Sequence, residues 1–125
     1  MGADALVVDD DTDGRDALAQ LLAGRGYTVR QAENGKEALE LIAERVPAFL
    51  VLDLEMPVMT GWEVLESLDR AGALGSIVIV VVSAVASPPP GVAFIQKPCG
   101  IDELLSVLTA TRRPRGADAW SGRNP

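Results

Sequence analysis

A doubly wound α/β domain, a parallel sheet with helices on both faces, is the fold class this sequence predicts. Three observations carry it. Short apolar runs alternate along the chain with segments whose apolar residues recur at helical spacing. The run Ile77–Val82 is six β-branched residues in a row, the pattern of a strand covered on both faces. The residues that close these runs, Asp9, Asp53 and Ser83, stand at the carboxyl ends of strands, and Lys97 follows the last strand. Sheets of this kind place their sites at that edge.

The elements follow in order. Ala5–Val8 is the first strand. From Asp13 to Gly24 the apolar positions Ala17, Leu18, Leu21 and Leu22 predict a helix that Gly24 or Gly26 ends. Tyr27–Gln31 alternates as an edge strand does, and Asn34-Gly35 opens a second helix carrying Ala38, Leu39, Ile42 and Ala43, stopped near Pro47. Phe49–Leu52 is a buried strand ending at Asp53. Gly61 to Leu68 is a third helix, with Trp62, Leu65 and Leu68 turned inward. Val92–Gln96 is the last short strand, and Ile101, Leu104, Leu105 and Leu108 mark the final helix. The tail from Arg112, RRPRGADAWSGRNP, reads as a loose end or linker remnant, which leaves one domain over residues 4–111 and a tail over 112–125.

Composition excludes several classes. At 125 residues and 48% apolar, the chain is long enough for one buried core. Mean hydropathy is only +0.20, and no apolar stretch is long enough to span a bilayer. The start MGADAL lacks the basic region and apolar core of a secretory signal, and the single cysteine, Cys99, suits a reducing cytoplasm. A net charge of −7 argues against nucleic-acid binding by this domain, because neutralising phosphates needs a basic face. With no histidine, histidine zinc sites and histidine-based triads are absent.

The run DDDTD, Asp9 to Asp13, poses a physical problem at a strand end. Two carboxylates about 5 Å apart at an effective dielectric near 20 repel by roughly 3 kcal/mol, which moves one titration by about 2 units. Such a cluster takes up protons, fans into solvent or holds a cation. The bland alternative is a solvated loop whose Thr12 and Asp13 cap the first helix.

The set LVVDDD, LVLDLEMP, TG, VVVSA and FIQKP resembles the receiver domain of bacterial two-component response regulators, the CheY-like family, over roughly residues 4 to 110. The resemblance implies a flavodoxin-like five-stranded sheet in the order 2-1-3-4-5, with Tyr27–Gln31 and Val92–Gln96 at its edges. It implies Asp53 as phosphate acceptor, with Mg²⁺ held by Asp9, Asp10, Asp53 and the backbone carbonyl of Glu55. Ser83 falls at the hydroxyl position, Lys97 at the family lysine and Phe94 at the aromatic switch position. Asp11 is read as exposed, and the Glu55 side chain as lying at the mouth of the site. The partners implied are a histidine kinase or histidine phosphotransfer protein and an output partner, in the cytoplasm. The domain would be no enzyme beyond its own phosphoryl transfer and dephosphorylation.

Residue chemistry agrees with that reading. Mg²⁺ takes oxygen ligands and would offset the carboxylate repulsion. A carboxylate can accept a phosphoryl group as an acyl phosphate, and a lysine adds a compact cation beside it. Two other classes are weighed. A haloacid-dehalogenase-like phosphatase wants D-x-D-x-T or D-x-D-x-V, which the windows at Asp9, Asp10 and Asp11 all fail. A pseudo-receiver, purely an interaction module, usually loses the acceptor or the acidic pair, and this chain keeps both.

Two finer expectations concern backbone. The resemblance implies that Lys97-Pro98 is cis, which an X-Pro bond adopts at a cost of only about 0.5–1 kcal/mol. Between Ser83 and Val92 stand only Ala84 to Gly91, including Pro88-Pro89-Pro90, where receivers usually have a full helix. Consecutive prolines favour an extended path. The fourth helix is therefore expected to be absent or a single turn.

Overall fold

The computed structural model describes residues 3–84, 92–98 and 100–110. Five strands, β1 (Asp4–Val8), β2 (Thr28–Ala32), β3 (Phe49–Leu52), β4 (Val78–Ser83) and β5 (Ala93–Gln96), pair in the order β2-β1-β3-β4-β5. All four pairings are parallel. The described helices are α1 (Thr12–Gly24), α2 (Gly35–Glu44), α3 (Gly61–Arg70) and α4 (Ile101–Ala110), with a single 3₁₀ turn at Leu74–Ser76. This is the predicted flavodoxin-like topology.

Side chains alternate across a strand, so the sheet feeds two cores. Leu6, Val8, Leu50, Leu52, Ile79 and Val81 pack with Ala38 and Ile42 of α2 and Val64, Leu65 and Leu68 of α3. On the other face Val7, Val51, Val80, Val82 and Ile95 meet Leu22 of α1 and Leu104 and Leu108 of α4. All six residues of β4 are buried: the five β-branched residues Val78–Val82, as their unbroken run predicts, and Ser83 after them.

Register brings the strand ends together. Val8 lies opposite Leu52, and Ser83 opposite Gln96. The Asp53 amide donates to the Val8 carbonyl at 3.0 Å, and the Lys97 amide to the Ser83 carbonyl at 2.9 Å. Neighbouring strands stand about 4.8 Å apart, so the residues that follow β1 and β3 are side by side.

Several details differ from the sequence expectations. β2 begins at Thr28, and Tyr27 instead packs edge-on against Phe49, with ring centroids 5.6 Å apart. β4 runs one residue further than expected, so Ser83 is its last residue. Asp11, rather than Thr12 or Asp13, takes the N-cap position of α1, and its side chain makes no capping bond. On α1 the buried residues are Ala19 and Leu22, whereas Ala17 and Leu21 are exposed. A 100° step per residue cannot separate a flank from a centre when apolar residues cover half the helix. Asn34 caps α2 and Thr60 with Glu63 forms a capping box on α3, each satisfying amides that a helix start leaves unpaired. The expected shortening of the fourth helix concerns residues 85–91, which lie outside the described residues, as do Cys99 and the tail from 111.

The start of α3 presses against the end of β3. The Gly61 amide donates to the Leu54 carbonyl at 2.9 Å. A Cβ at Gly61 would collide with the Asp53 carbonyl and stand 2.8 Å from the Leu54 Cα. Both neighbours are backbone and cannot swing aside. Gly61→Ala is expected to cost about 1–3 kcal/mol, the usual penalty of overpacking. Gly24→Ala, with nothing within 4 Å of the new Cβ, is expected to leave stability equal or higher, and urea unfolding of both variants measures the contrast.

Candidate functional site

Asp9, Asp10 and Asp53 each place one carboxylate oxygen within 4.8 Å of the other two. Asp53 is buried at 6% exposure, Asp9 is half-buried and Asp10 is exposed. Lys97 answers this negative charge. Its Nζ donates to Asp9 Oδ2 at 2.7 Å and more loosely to Asp53 Oδ2 at 3.5 Å. The Lys97–Pro98 peptide bond is cis, as expected. Three carboxylates converging from two strand ends make an all-oxygen donor set that fits a hard divalent cation.

The other expected residues are placed as follows. Ser83 is fully buried, and its Oγ makes no hydrogen bond of good geometry. It is nonetheless near enough to favour the ionised form of Asp53. The Glu55 side chain is exposed, while its amide donates to Asp53 Oδ1 at 3.4 Å. Phe94 is not brought to the carboxylates: half-buried in β5, it packs on the core under α2 and α3. Asp11 is exposed as expected, and its amide donates to Asp9 Oδ1 at 3.0 Å. Beside the cluster an open pocket of about 540 Å³ is lined by Leu18, Val51, Val82 and Ile101 and by Asp9, Asp53 and Lys97.

Two residues that sequence reading passed over matter here. Arg15 reaches back from the first turn of α1, and its Nη1 donates to the Asp9 carbonyl at 2.8 Å. Val58, five positions after Asp53, has φ of 70° and is 76% exposed. A β-branched residue in the left-handed region is a genuine outlier, because its Cβ crowds the backbone carbonyl.

The electrostatics follow from burial and neighbours. Burial pushes the Asp53 carboxyl above its ordinary 3.8, and Asp9 pushes it further; Lys97, Ser83 and the Glu55 amide pull the other way without cancelling the rise. Burial would lower the Lys97 ammonium, but its hydrogen bond to Asp9 and the charges of Asp53 and Asp9 outweigh it, and the net shift is upward. The fold thus holds Asp53 in a place that disfavours its charge and sets a retained cation beside it.

The family model "Response regulator receiver domain" matches residues 5–109. The chain belongs to this family. The receiver is 36% identical over 127 residues to the response regulator MprA of Mycolicibacterium vanbaalenii, covering 95% of this chain and 54% of that protein. With MprA of Mycobacterium ulcerans it shares 39% identity over 121 residues, covering 90% and 51%. It therefore spans about half the length of these relatives. The chemotaxis protein CheY4 of Vibrio cholerae superposes with a TM-score of 0.80 at 25% identity, covering 89% of this chain and 99% of that one. A Burkholderia pseudomallei response regulator, solved with a phosphorylated aspartic acid, a calcium ion and citrate, superposes at 0.74 with 27% identity, covering 85% and 66%. The receiver is accordingly the kind of domain that response regulators of two-component systems carry. Among the described residues no helix is long and apolar enough to cross a membrane.

Relieving the backbone at Val58 should stabilise the receiver. The left-handed conformation costs a side-chain-bearing residue about 1–2 kcal/mol, and glycine's freer unfolded chain returns part of that, about 0.5–1 kcal/mol. Val58→Gly is expected to gain about 0.5–1 kcal/mol net in urea unfolding, and Val58→Ala, which keeps a Cβ, no comparable gain. For Asp53 the sign is set by its raised pKa. The stability it contributes is full below the unfolded value near 3.8 and is lost as pH rises through the folded pKa. At pH 7 without divalent cations, Asp53→Asn should therefore raise the urea midpoint, with the difference vanishing toward pH 3.

Proposed function

We propose that this receiver is a phosphoacceptor switch, phosphorylated on Asp53 in a Mg²⁺-dependent reaction by a histidine kinase or a histidine phosphotransfer protein. The observation that carries the reading is the buried Asp53 carboxylate, gathered with Asp9 and Asp10 within 4.8 Å and faced by Lys97. The buried Ser83 Oγ supports it: it makes no hydrogen bond of good geometry, a costly state for a buried hydroxyl, and a phosphoryl oxygen would supply one. The Burkholderia protein's phosphorylated aspartic acid and calcium ion support the same chemistry by likeness.

Asp9, Asp10 and Asp53, with the Glu55 carbonyl, would hold Mg²⁺, which supplies charge neutralisation for a transferring phosphoryl group. The chain's own residues do the rest. A carboxylate oxygen of Asp53 attacks phosphorus, a new P–O bond forms, and the P–N bond to the donor imidazole breaks with its electron pair leaving on the imidazole nitrogen. Lys97 offers its ammonium to a phosphoryl oxygen as a charge-assisted donor, and Ser83 Oγ donates to another. The product is a modified state of the receiver itself, so the domain is not an enzyme toward other substrates. The receiver spans residues 4–111, with residues 112–125 a tail or a linker remnant, and it works in the cytoplasm. Phe94 would report the phosphorylated state through β5, and an output partner or domain would read it.

The test is incubation with acetyl phosphate, or with a phosphorylated histidine phosphotransfer protein, followed by intact-mass and peptide mapping. Wild type should gain one phosphoryl group on Asp53, and chelation of divalent cations should abolish the gain. Asp10→Asn should slow labelling by at least about tenfold through weaker cation binding. Labelling of Asp53→Asn at the wild-type level would falsify the assignment.

A further inference from the structure

We infer that Arg15 is a positioning residue for the cation site, clamping the Asp9–Asp10 peptide so that the Asp10 carboxylate is held ready beside those of Asp9 and Asp53. The inference rests on the Mg²⁺-site reading above. Asp9 is fixed at four points. Its amide donates to the Ala32 carbonyl at 3.1 Å, and its carbonyl accepts from Arg15 Nη1 at 2.8 Å. Its two carboxylate oxygens accept from the Asp11 amide and from Lys97. The exposed Asp10 side chain has no hydrogen bond of its own among the described residues. Its placement is therefore inherited from the backbone before it.

The peptide unit is planar from one Cα to the next. Holding the Asp9 carbonyl thus sets the plane that carries the Asp10 amide and Cα, and so fixes the point from which the Asp10 side chain departs. The clamp is itself anchored twice. Arg15 rises from the first turn of α1, and its Nε donates to Gln31 Oε1 on β2 at 3.0 Å. A planar guanidinium can make both bonds from one rigid fork, which a lysine's point charge cannot reproduce. Arg15 also makes no ion pair within 4.0 Å with Asp9, Asp10 or Asp53 among the described residues, so it acts on the cluster through the backbone carbonyl. A cation site loses affinity when its ligands must be ordered on binding, and supporting contacts of this kind hold them in place beforehand.

The experiment is calorimetric titration of the full 125-residue chain with Mg²⁺ alone, paired with urea unfolding of each variant. Arg15→Met should weaken Mg²⁺ binding by about tenfold or more. Arg15→Lys, which keeps the charge and loses the fork, should recover less than half of that loss on a logarithmic scale. Gln31→Ala removes only the exposed anchor of Nε, so it should weaken Mg²⁺ by about two- to fivefold with an unchanged urea midpoint. Wild-type affinity in Arg15→Lys would show that charge alone matters and overturn the clamp. Wild-type affinity in both Arg15→Met and Gln31→Ala would overturn it as well. A wild-type chain that does not bind Mg²⁺ would instead overturn the reading of the site on which the inference rests.

Discussion

Repulsion among carboxylates at one edge of the sheet is the constraint around which this receiver is arranged. Asp9 and Asp53 cannot avoid each other, because parallel register sets Val8 opposite Leu52 and each aspartate is the next residue along. A surface loop would relax by fanning its charges into water, but Asp53 is buried and its pKa rises for that reason. Lys97 is the response built into the fold, and it sits closer to Asp9 than to Asp53. Delivering it requires β5 to pair with β4 and the Lys97 amide to reach the Ser83 carbonyl. The far edge of the sheet is therefore tied to its centre by charge as well as by packing.

The two cores serve that arrangement from opposite sides. Leu52 and Leu54 sit in the core beneath α2 and α3, and Val51 in the core beneath α1 and α4, so the backbone around Asp53 is gripped from both faces. Gly61 lets α3 start against that same backbone. A buried carboxylate in such a cluster needs this support, since a small shift of its backbone would carry it away from Asp9 and Asp10.

Much of this was legible in the sequence, and the reason is periodicity. A strand that alternates or is apolar throughout announces its own end, so Asp9, Asp53, Ser83 and Lys97 could be assigned to one edge before any coordinates existed. Ser83 stood one residue deeper than expected, as the last residue of β4, without leaving that edge. What periodicity does not encode is reach and backbone sign. Arg15 lies in the first turn of α1, yet its guanidinium works at the end of β1 and on β2. Val58 carries a left-handed φ that a valine does not advertise, where a glycine would have. The outward turn of Leu21 escaped for a related reason: spacing identifies a helix, but its neighbours decide which apolar residues lie under something.

The ion pair at Lys97 has a consequence for how the molecule breathes. β5 is a four-residue strand at the edge of the sheet, paired on one side only among the described residues, the sort of element that frays first. Fraying that carries Lys97 away strips two carboxylates of their counter-charge at the same moment. The opening free energy of this edge then includes electrostatic work at the sheet centre, and slow amide exchange should extend further along β5 than its hydrogen bonds alone would protect. Whatever neutralises Asp9 and Asp53 by another route uncouples the two, and turns a latched edge into one that opens on its own local terms.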